Sequence, residues 1–381
     1  MKKLSYLSML LVVLVFIGCS DNTNVQKISV RNNLNIERIM ETVEVSLSDI
    51  LFINENTDLE RVAVFNNDKQ QVSQIIDSDN NGIDDAVIFQ DSFKPNEEKK
   101  YSIKLLEEKT VFNSKVYAAF IKGREDIAWE NDKVAFRMYG PPLAANVNNG
   151  IDVWSKRVDY LIIDKWYNGD TTGISYHKDH GEGADFYSVG KSLGAGGSAI
   201  MADNKLYQSG VYTNYKIFQN GPLQLKFELN YLGFDVNGTK INEKKIISLN
   251  AGSQLNKVIS EYSELPESSF FTAGLVIREN IEEYMNVENS IISLWGNNSD
   301  NEEDGQTGIA VIYPAKSQVT KTEDTPAHLL VTDRLKSDSY VYYTGACWTK
   351  AEVIKSKFEW ETYLSEFKEK LSSPLSVEKC L

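Results

Sequence analysis

The stretch from Tyr176 to Gly197 reads YHKDHGEGADFYSVGKSLGAGG and concentrates residues that can do chemistry. It carries His177 and His180, two of the three histidines in 381 residues, with Glu182 and Asp185 close behind them. Neutral imidazoles beside carboxylates can ligate one divalent metal ion. One imidazole held by a carboxylate is, alternatively, a general base near neutral pH. The plainer alternative is a glycine-shaped connection between strands. A phosphate cradle is excluded by spacing, because GKSLGAGG fits neither G-x-x-x-x-G-K-S/T nor a G-x-G-x-x-G between strand and helix. The third histidine, His328, starts the strand-like run HLLVT and is the remaining candidate metal ligand beside His177 and His180.

A second group lies in AWENDKVAFRMYG. Strand alternation puts Ala135, Arg137 and Tyr139 on one face and Val134, Phe136 and Met138 on the other. An arginine and a tyrosine side by side can bind a carboxylate and handle a proton; the alternative is a polar face with an ion pair. Glu130 and Asn131 precede this strand. In GIDVWSKRVDYLIIDKWY, Trp154, Trp166 and Tyr167 are candidate stacking platforms for sugar rings, with Lys156 and Arg157 supplying charge, although aromatics equally build cores. In DSDNNGIDD, Asp77 to Asp85, the front half resembles a calcium loop. The twelfth position is Ile88 rather than Glu and strands flank the loop, so it is read as structural.

The elements that must hold these residues are mostly strands. Leu223, Leu225, Phe227, Leu229 and Tyr231 alternate with polar residues, the mark of a strand with one buried face. RVAVF, KYSIKLL, VYAAFI, KIISLN, AGLVIR, GIAVIY and YVYYTGACW repeat the theme between turn-rich stretches. One helix is predicted near the end. Ser356 and Glu359 have capping-box spacing, Trp360, Tyr363, Leu364, Phe367 and Leu371 share a face, and Pro374 stops it. The expected fold is all-β: a large antiparallel sandwich of supersandwich type, with a smaller N-terminal β-sandwich region and a C-terminal helix. The expected division is a leader at 1–18, a tether at 19–28, an N-terminal β-rich domain at 29–115 and the main catalytic sandwich at 116–381.

The start, MKKLSYLSMLLVVLVFIGCS, has two lysines and then an apolar run too short to span a bilayer. Gly18-Cys19 after it reads as a lipoprotein cleavage site, with Cys19 lipidated and the mature chain anchored to an outer membrane. The net charge is −14, and −16 without Lys2 and Lys3 of the leader. That balance argues against nucleic acid as a partner. Cys347 and Cys380 are candidates for a disulfide in an oxidising compartment, or two separate thiols.

AWENDKVAFRMYGPPL, GIDVWSKR, YHKDHGEGADFYSVGKSLGAGG, GSQLNKV and YYTGACW occur in that order. Together they resemble a family of Bacteroidota polysaccharide-utilisation lipoproteins catalogued as domain of unknown function 4861. The resemblance implies oligosaccharide dehydratase activity on uronate-ended oligosaccharides of ulvan type, in which water is eliminated across C4 and C5 of the terminal uronic acid. It implies an anionic oligosaccharide as partner. The chemistry then assigns roles by residue type. Arg137 or a metal neutralises the carboxylate, His177 or His180 is the base, and Glu182 or Asp185 orients it. Tyr139 or Tyr176 is the acid, and Trp154 and Trp166 stack on neighbouring sugars. Lys156, Arg157, Asp185, Glu130 and Asn131 complete the substrate-binding set. The competing readings are a non-catalytic glycan-binding lipoprotein and a hydrolytic or mutarotase-like sugar enzyme.

Overall fold

A computed structural model describes residues 24–380 except 268, 315–316, 323–326 and 333–338; the side chains of 317–322 and 327–332 also fall outside the description. Cys19 and the leader expected at 1–18 therefore lie outside the described residues. The fold is the expected all-β architecture, built from antiparallel sheets.

The N-terminal sandwich pairs two sheets. One has the strand order Ser376–Lys379, Val25–Arg31, Glu98–Leu105, Val62–Asn66, Lys69–Gln70; the other has Arg38–Ser46, Ala86–Phe93, Ser73–Ile76. Alternate residues Ile28, Val30, Val43, Val45, Val87, Phe89, Tyr101 and Ile103 close the core between them. The Ala86–Phe93 strand is apolar on both faces. Val87 and Phe89 enter this small core while Ala86 and Ile88 join the large one, which is why AVIF lacks alternation. The two sequence regions thus share a sheet. The last strand, Ser376–Lys379, returns to the N-terminal sheet and sets Val377 opposite Val30.

The large core lies between an eight-stranded sheet and two five-stranded ones. Its longest hairpin joins Gln224–Val236 to Thr239–Asn250 through Asn237 and Gly238, both at positive φ, as an Asn-Gly turn between twisted strands requires. Leu225, Phe227, Leu229 and Tyr231 point into the core as their alternation predicts.

The described residues form two α-helices, α1 (Ile163–Thr171) and α2 (Lys357–Ser372). Ser356 and Glu359 cap α2 in a variant of the expected box: Ser356 Oγ accepts from Glu359 N at 3.2 Å, and Glu359 Oε2 accepts from Lys355 N, one residue before the cap, at 2.6 Å. Trp360 and Leu364 pack it onto the sheet over Cys347. Cys347 and Cys380 are both free thiols, so the disulfide alternative is not realised. In the Asp-rich loop, the Asp77 carboxylate accepts from Asn81 N and Gly82 N, and Asp85 accepts from Ser78. The Lys226 ammonium, from the neighbouring sheet, donates to the Asp77 carbonyl and to Asn80 Oδ1. The loop is a tied turn whose oxygens already meet a cation.

Candidate active site

The chemistry-bearing residues gather on one five-stranded sheet, in the order Gly183–Ala184, Asp152–Lys156, Ala135–Met138, Asp126–Asn131, Val116–Ile121. Register places Arg137 between Asp152 and Ala128, and Ala135 between Trp154 and Glu130. Phe136 and Met138 face the large core, so Arg137 faces away from it, as alternation predicts. That outer face is covered. Helix α1 and the chain around it build a satellite core of Ala128, Ala135, Trp154, Ile162, Ile163, Trp166, Tyr167 and Tyr176.

This cover corrects several expectations. Trp154 is 0% exposed and Trp166 7%, and their rings stack on each other at 5.5 Å, so neither offers a face to a sugar. Lys156 lies 2.5 Å from Glu130 Oε2 and 2.7 Å from Asn131 O, fully buried. Glu130 Oε1 accepts from Ile162 N and Ile163 N at 2.7 and 2.8 Å, capping α1 from a distant strand. Asn131 bridges backbone groups, donating to Asn250 O and Ser253 O. These three residues spend their polar groups on the scaffold. Arg157 pairs with Asp179 and lies over Trp348, 4.7 Å to the ring. Glu182 receives Lys165, Tyr160 and Trp166 Nε1. Partial burial pushes its carboxyl up, but these donors hold it below the usual range.

Five predicted site residues do come together. Arg137 is the hub. Its Nε and Nη2 donate to Asp152 Oδ2 at 2.9 and 2.6 Å, and Nη2 reaches Asp185 Oδ2 at 2.7 Å. Nη1 donates to the Tyr176 hydroxyl at 2.9 Å and Nη2 to the Tyr139 hydroxyl at 2.8 Å. Tyr139 in turn donates to Asp152 Oδ2 at 3.0 Å. At 3% exposure, with every nitrogen engaged, Arg137 has no edge left for a substrate carboxylate. It organises the site rather than gripping the ligand, which corrects its expected role. Burial lowers its guanidinium, but Asp152 and Asp185 together hold it well above the ordinary value. Asp185 is pushed up by burial and by the neighbouring Asp152 charge, against the pull of Arg137. Burial, then Asp152, keeps the Tyr139 phenol protonated, and burial does the same for Tyr176.

The fifth member is His177. Its Nδ1 lies 3.2 Å from the Asp185 carbonyl and 3.4 Å from Asp185 Oδ2, while its side chain is 58% exposed. Two acceptors at Nδ1 call for the proton there and leave Nε2 as the basic nitrogen at the surface. His180 is separate: its Nε2 lies 3.1 Å from Ser175 O, on the exposed loop. Among the described residues no group of three or more His, Cys, Asp or Glu can hold a metal ion. His328 pairs through its backbone with Leu275, and its side chain is outside the description.

Asp152 and Asp126 belong to the cluster without having been singled out in the sequence. Asp126 sits behind Arg137 with its carboxyl raised to about 6, burial outweighing the attraction of Arg137. Each opens a short strand that carries further polar or charged residues, DIAWEN and DVWSK, so no local signal set them apart. A cleft of ≈ 450 Å³ between the Arg38–Ser46 strand, the eight-stranded sheet and α2 contains none of these residues.

A multi-sheet antiparallel sandwich with a histidine–aspartate pair over a buried arginine hub defines the class. The chain belongs to the family described as Domain of unknown function (DUF4861), whose model matches residues 30–377. It is 33% identical, over 99% of both chains, to "Uncharacterized protein P7" of Formosa agariphila. Its fold is similar to that of an alpha-mannosidase from Enterococcus faecalis V583, with TM-score 0.56 and 8% identity over 94% of this chain and 46% of that one. A second Enterococcus faecalis structure, a protein in Glycosyl Hydrolase Family 38, gives TM-score 0.55 and 8% identity over 94% and 47%. The chain spans about half the length of these two structures, and at that identity the likeness is one of fold.

Proposed function

We propose that the protein is a carbohydrate-active lyase that eliminates water across C4 and C5 of a non-reducing-end uronic acid in an anionic oligosaccharide such as an ulvan fragment. The observation that carries this reading is the exposed His177 imidazole, oriented at Nδ1 by Asp185, beside tyrosines held protonated on the same arginine. His177 Nε2 takes the C5 proton. The C5–H electron pair forms the C4–C5 double bond, and the C4–O bond breaks. Tyr139 gives its proton to the departing oxygen, which leaves as water; solvent restores both groups. The family resemblance and a fold shared with glycosidase structures support sugar chemistry. Trp154 and Trp166, the two platforms named for a glycan binder, are buried. Lipidation at Cys19 would set the enzyme on the membrane that faces its polymer.

The test is to incubate the purified protein with saturated uronate-ended fragments of ulvan, pectin, alginate and glycosaminoglycan. Expected are a rise in ultraviolet absorbance from the conjugated double bond and a product lighter by one water. His177→Ala should slow this by roughly 10²–10⁴-fold. No absorbance rise with any of the four would sink the reading, and chain cleavage with uptake of water would move it to a hydrolase.

A further inference from the structure

Elimination next to a carboxylate needs a cation or strong donors on that carboxylate, and Arg137 cannot supply them. Arg124 is a neighbouring guanidinium with an edge to spare. It lies in the turn between Val116–Ile121 and Asp126–Asn131, two strands of the site's own sheet. That turn is held firmly. Arg124 N and Glu125 N both donate to Ile121 O, at 2.9 and 2.7 Å, and Glu125 takes a positive φ. Gly140, the residue after Tyr139, packs against it so closely that a Cβ there would lie 1.6 Å from Glu125 O. The turn thus abuts the end of the strand that carries Arg137 and leads into Tyr139.

The Arg124 side chain reaches over the same covered face as the proposed base. Its guanidinium carbon lies 5.8 Å from the Tyr167 ring centre and 5.4 Å from that of Tyr176. The His177 ring centre lies 4.5 Å from the same Tyr176 ring. Arg124 and His177 are therefore no farther apart than the last two distances laid end to end. Trp154, on the sheet, stacks on Tyr176 at 4.9 Å, which leaves the rim and outer side of that ring to Arg124 and His177. Both reach solvent, with side chains 41% and 58% exposed. Asp170, in the last turn of α1, holds Arg124 Nη2. Among the described residues Arg124 Nε and Nη1 have no hydrogen-bond partner. In a uronate, C5 bears both the proton and the carboxyl group, so base and carboxylate donor must stand within one sugar ring of each other. We propose that Arg124 receives the uronate carboxylate beside His177, on the free edge of its guanidinium, while Asp170 fixes the other edge. The inference rests on the reading of this site as a uronate site; it does not require that elimination occurs.

The test is calorimetric binding to the full chain carrying His177→Ala, so that no substrate is turned over. The probes are a saturated uronate-ended ulvan oligosaccharide, its carboxyl-reduced form and its desulfated form. Adding Arg124→Gln should weaken binding of the parent and of the desulfated form roughly ten- to hundredfold. It should leave the carboxyl-reduced form, already the weaker ligand, unchanged. Arg124→Lys should recover part of the loss, because it keeps the charge without the planar fork. Parent binding that is unaffected by Arg124→Gln, equal loss for all three probes, or no binding of the parent at all would overturn the receptor. A loss confined to the two sulfated probes would overturn the carboxylate and assign Arg124 to a sulfate ester. If the carboxylate binds through Arg124 but the wild type never forms the unsaturated product, the receptor stands and the lyase reading falls.

Discussion

At the scale of single residues, burial decides what each charge can do. Asp185 is enclosed, and Arg137 holds its Oδ2, the oxygen that lies 3.4 Å from His177 Nδ1. Asp185→Asn should keep substrate binding within a few-fold and lower kcat by roughly a hundredfold or more; equal loss in KM would point to a structural role instead. Asp126 makes the opposite case. Its folded carboxyl titrates near 6, above its unfolded value, because burial outweighs Arg137. The protonated form is thus the stabilised one, present in full below about pH 4 and lost as pH rises through about 6. Asp126→Asn should therefore match the wild type in denaturant unfolding at pH 4. At pH 8 it should exceed it by on the order of 3 kcal/mol. The residue types and the alternation of 134–139 were enough to bring Arg137 and Tyr139 to one face, and the histidine-rich stretch to propose the base. They could not tell that the same face carries a lid. A tryptophan on a strand looks alike whether solvent or α1 lies above it, so Trp154, Lys156 and Glu130 were drawn into the ligand set by composition alone.

At the scale of elements, the two helices differ in where their stabilising groups come from. Helix α2 is capped by its own Ser356 and Glu359, four residues of sequence, and could be foreseen. Helix α1 has no side-chain cap of its own at Ile162. Glu130, more than thirty residues earlier, supplies the acceptors and at the same time neutralises Lys156. No local pattern encodes that. Glu130→Ala should consequently cost roughly 3–5 kcal/mol in equilibrium unfolding, because it strands a buried ammonium. Adding Lys156→Met should recover much of the loss. A full loss in the double variant would mean that capping of α1, not the unpaired charge, dominates. The Asp-rich loop follows the same logic: with Lys226 on its oxygens, calcium addition or chelation should leave the unfolding midpoint unchanged, and a calcium-dependent rise would show that the lysine can be displaced.

At the scale of the molecule, strand alternation was enough to foresee an all-β sandwich, since a period of two over so many segments admits little else. Where the sandwiches meet was not legible. The Ala86–Phe93 strand serves both cores, and pairing between the first and last strands is a contact across nearly the full chain, invisible to any window of sequence. Ending the chain at Leu375 removes the strand that covers the edge of Val25–Arg31. The shortened protein should lose several degrees of thermal midpoint and associate through the bared edge, seen as larger species in size-exclusion chromatography. A monomer as stable as the full chain would show the strand to be dispensable.

The same pairing sets how the molecule responds to force. Lys379 sits opposite Ile28 and Ser376 opposite Arg31, so the free ends of both strands lie at the same end of the ladder. Tension applied between the two termini would load its hydrogen bonds one at a time, not all in parallel. The last strand would peel off like a zipper at low load, before either hydrophobic core is strained.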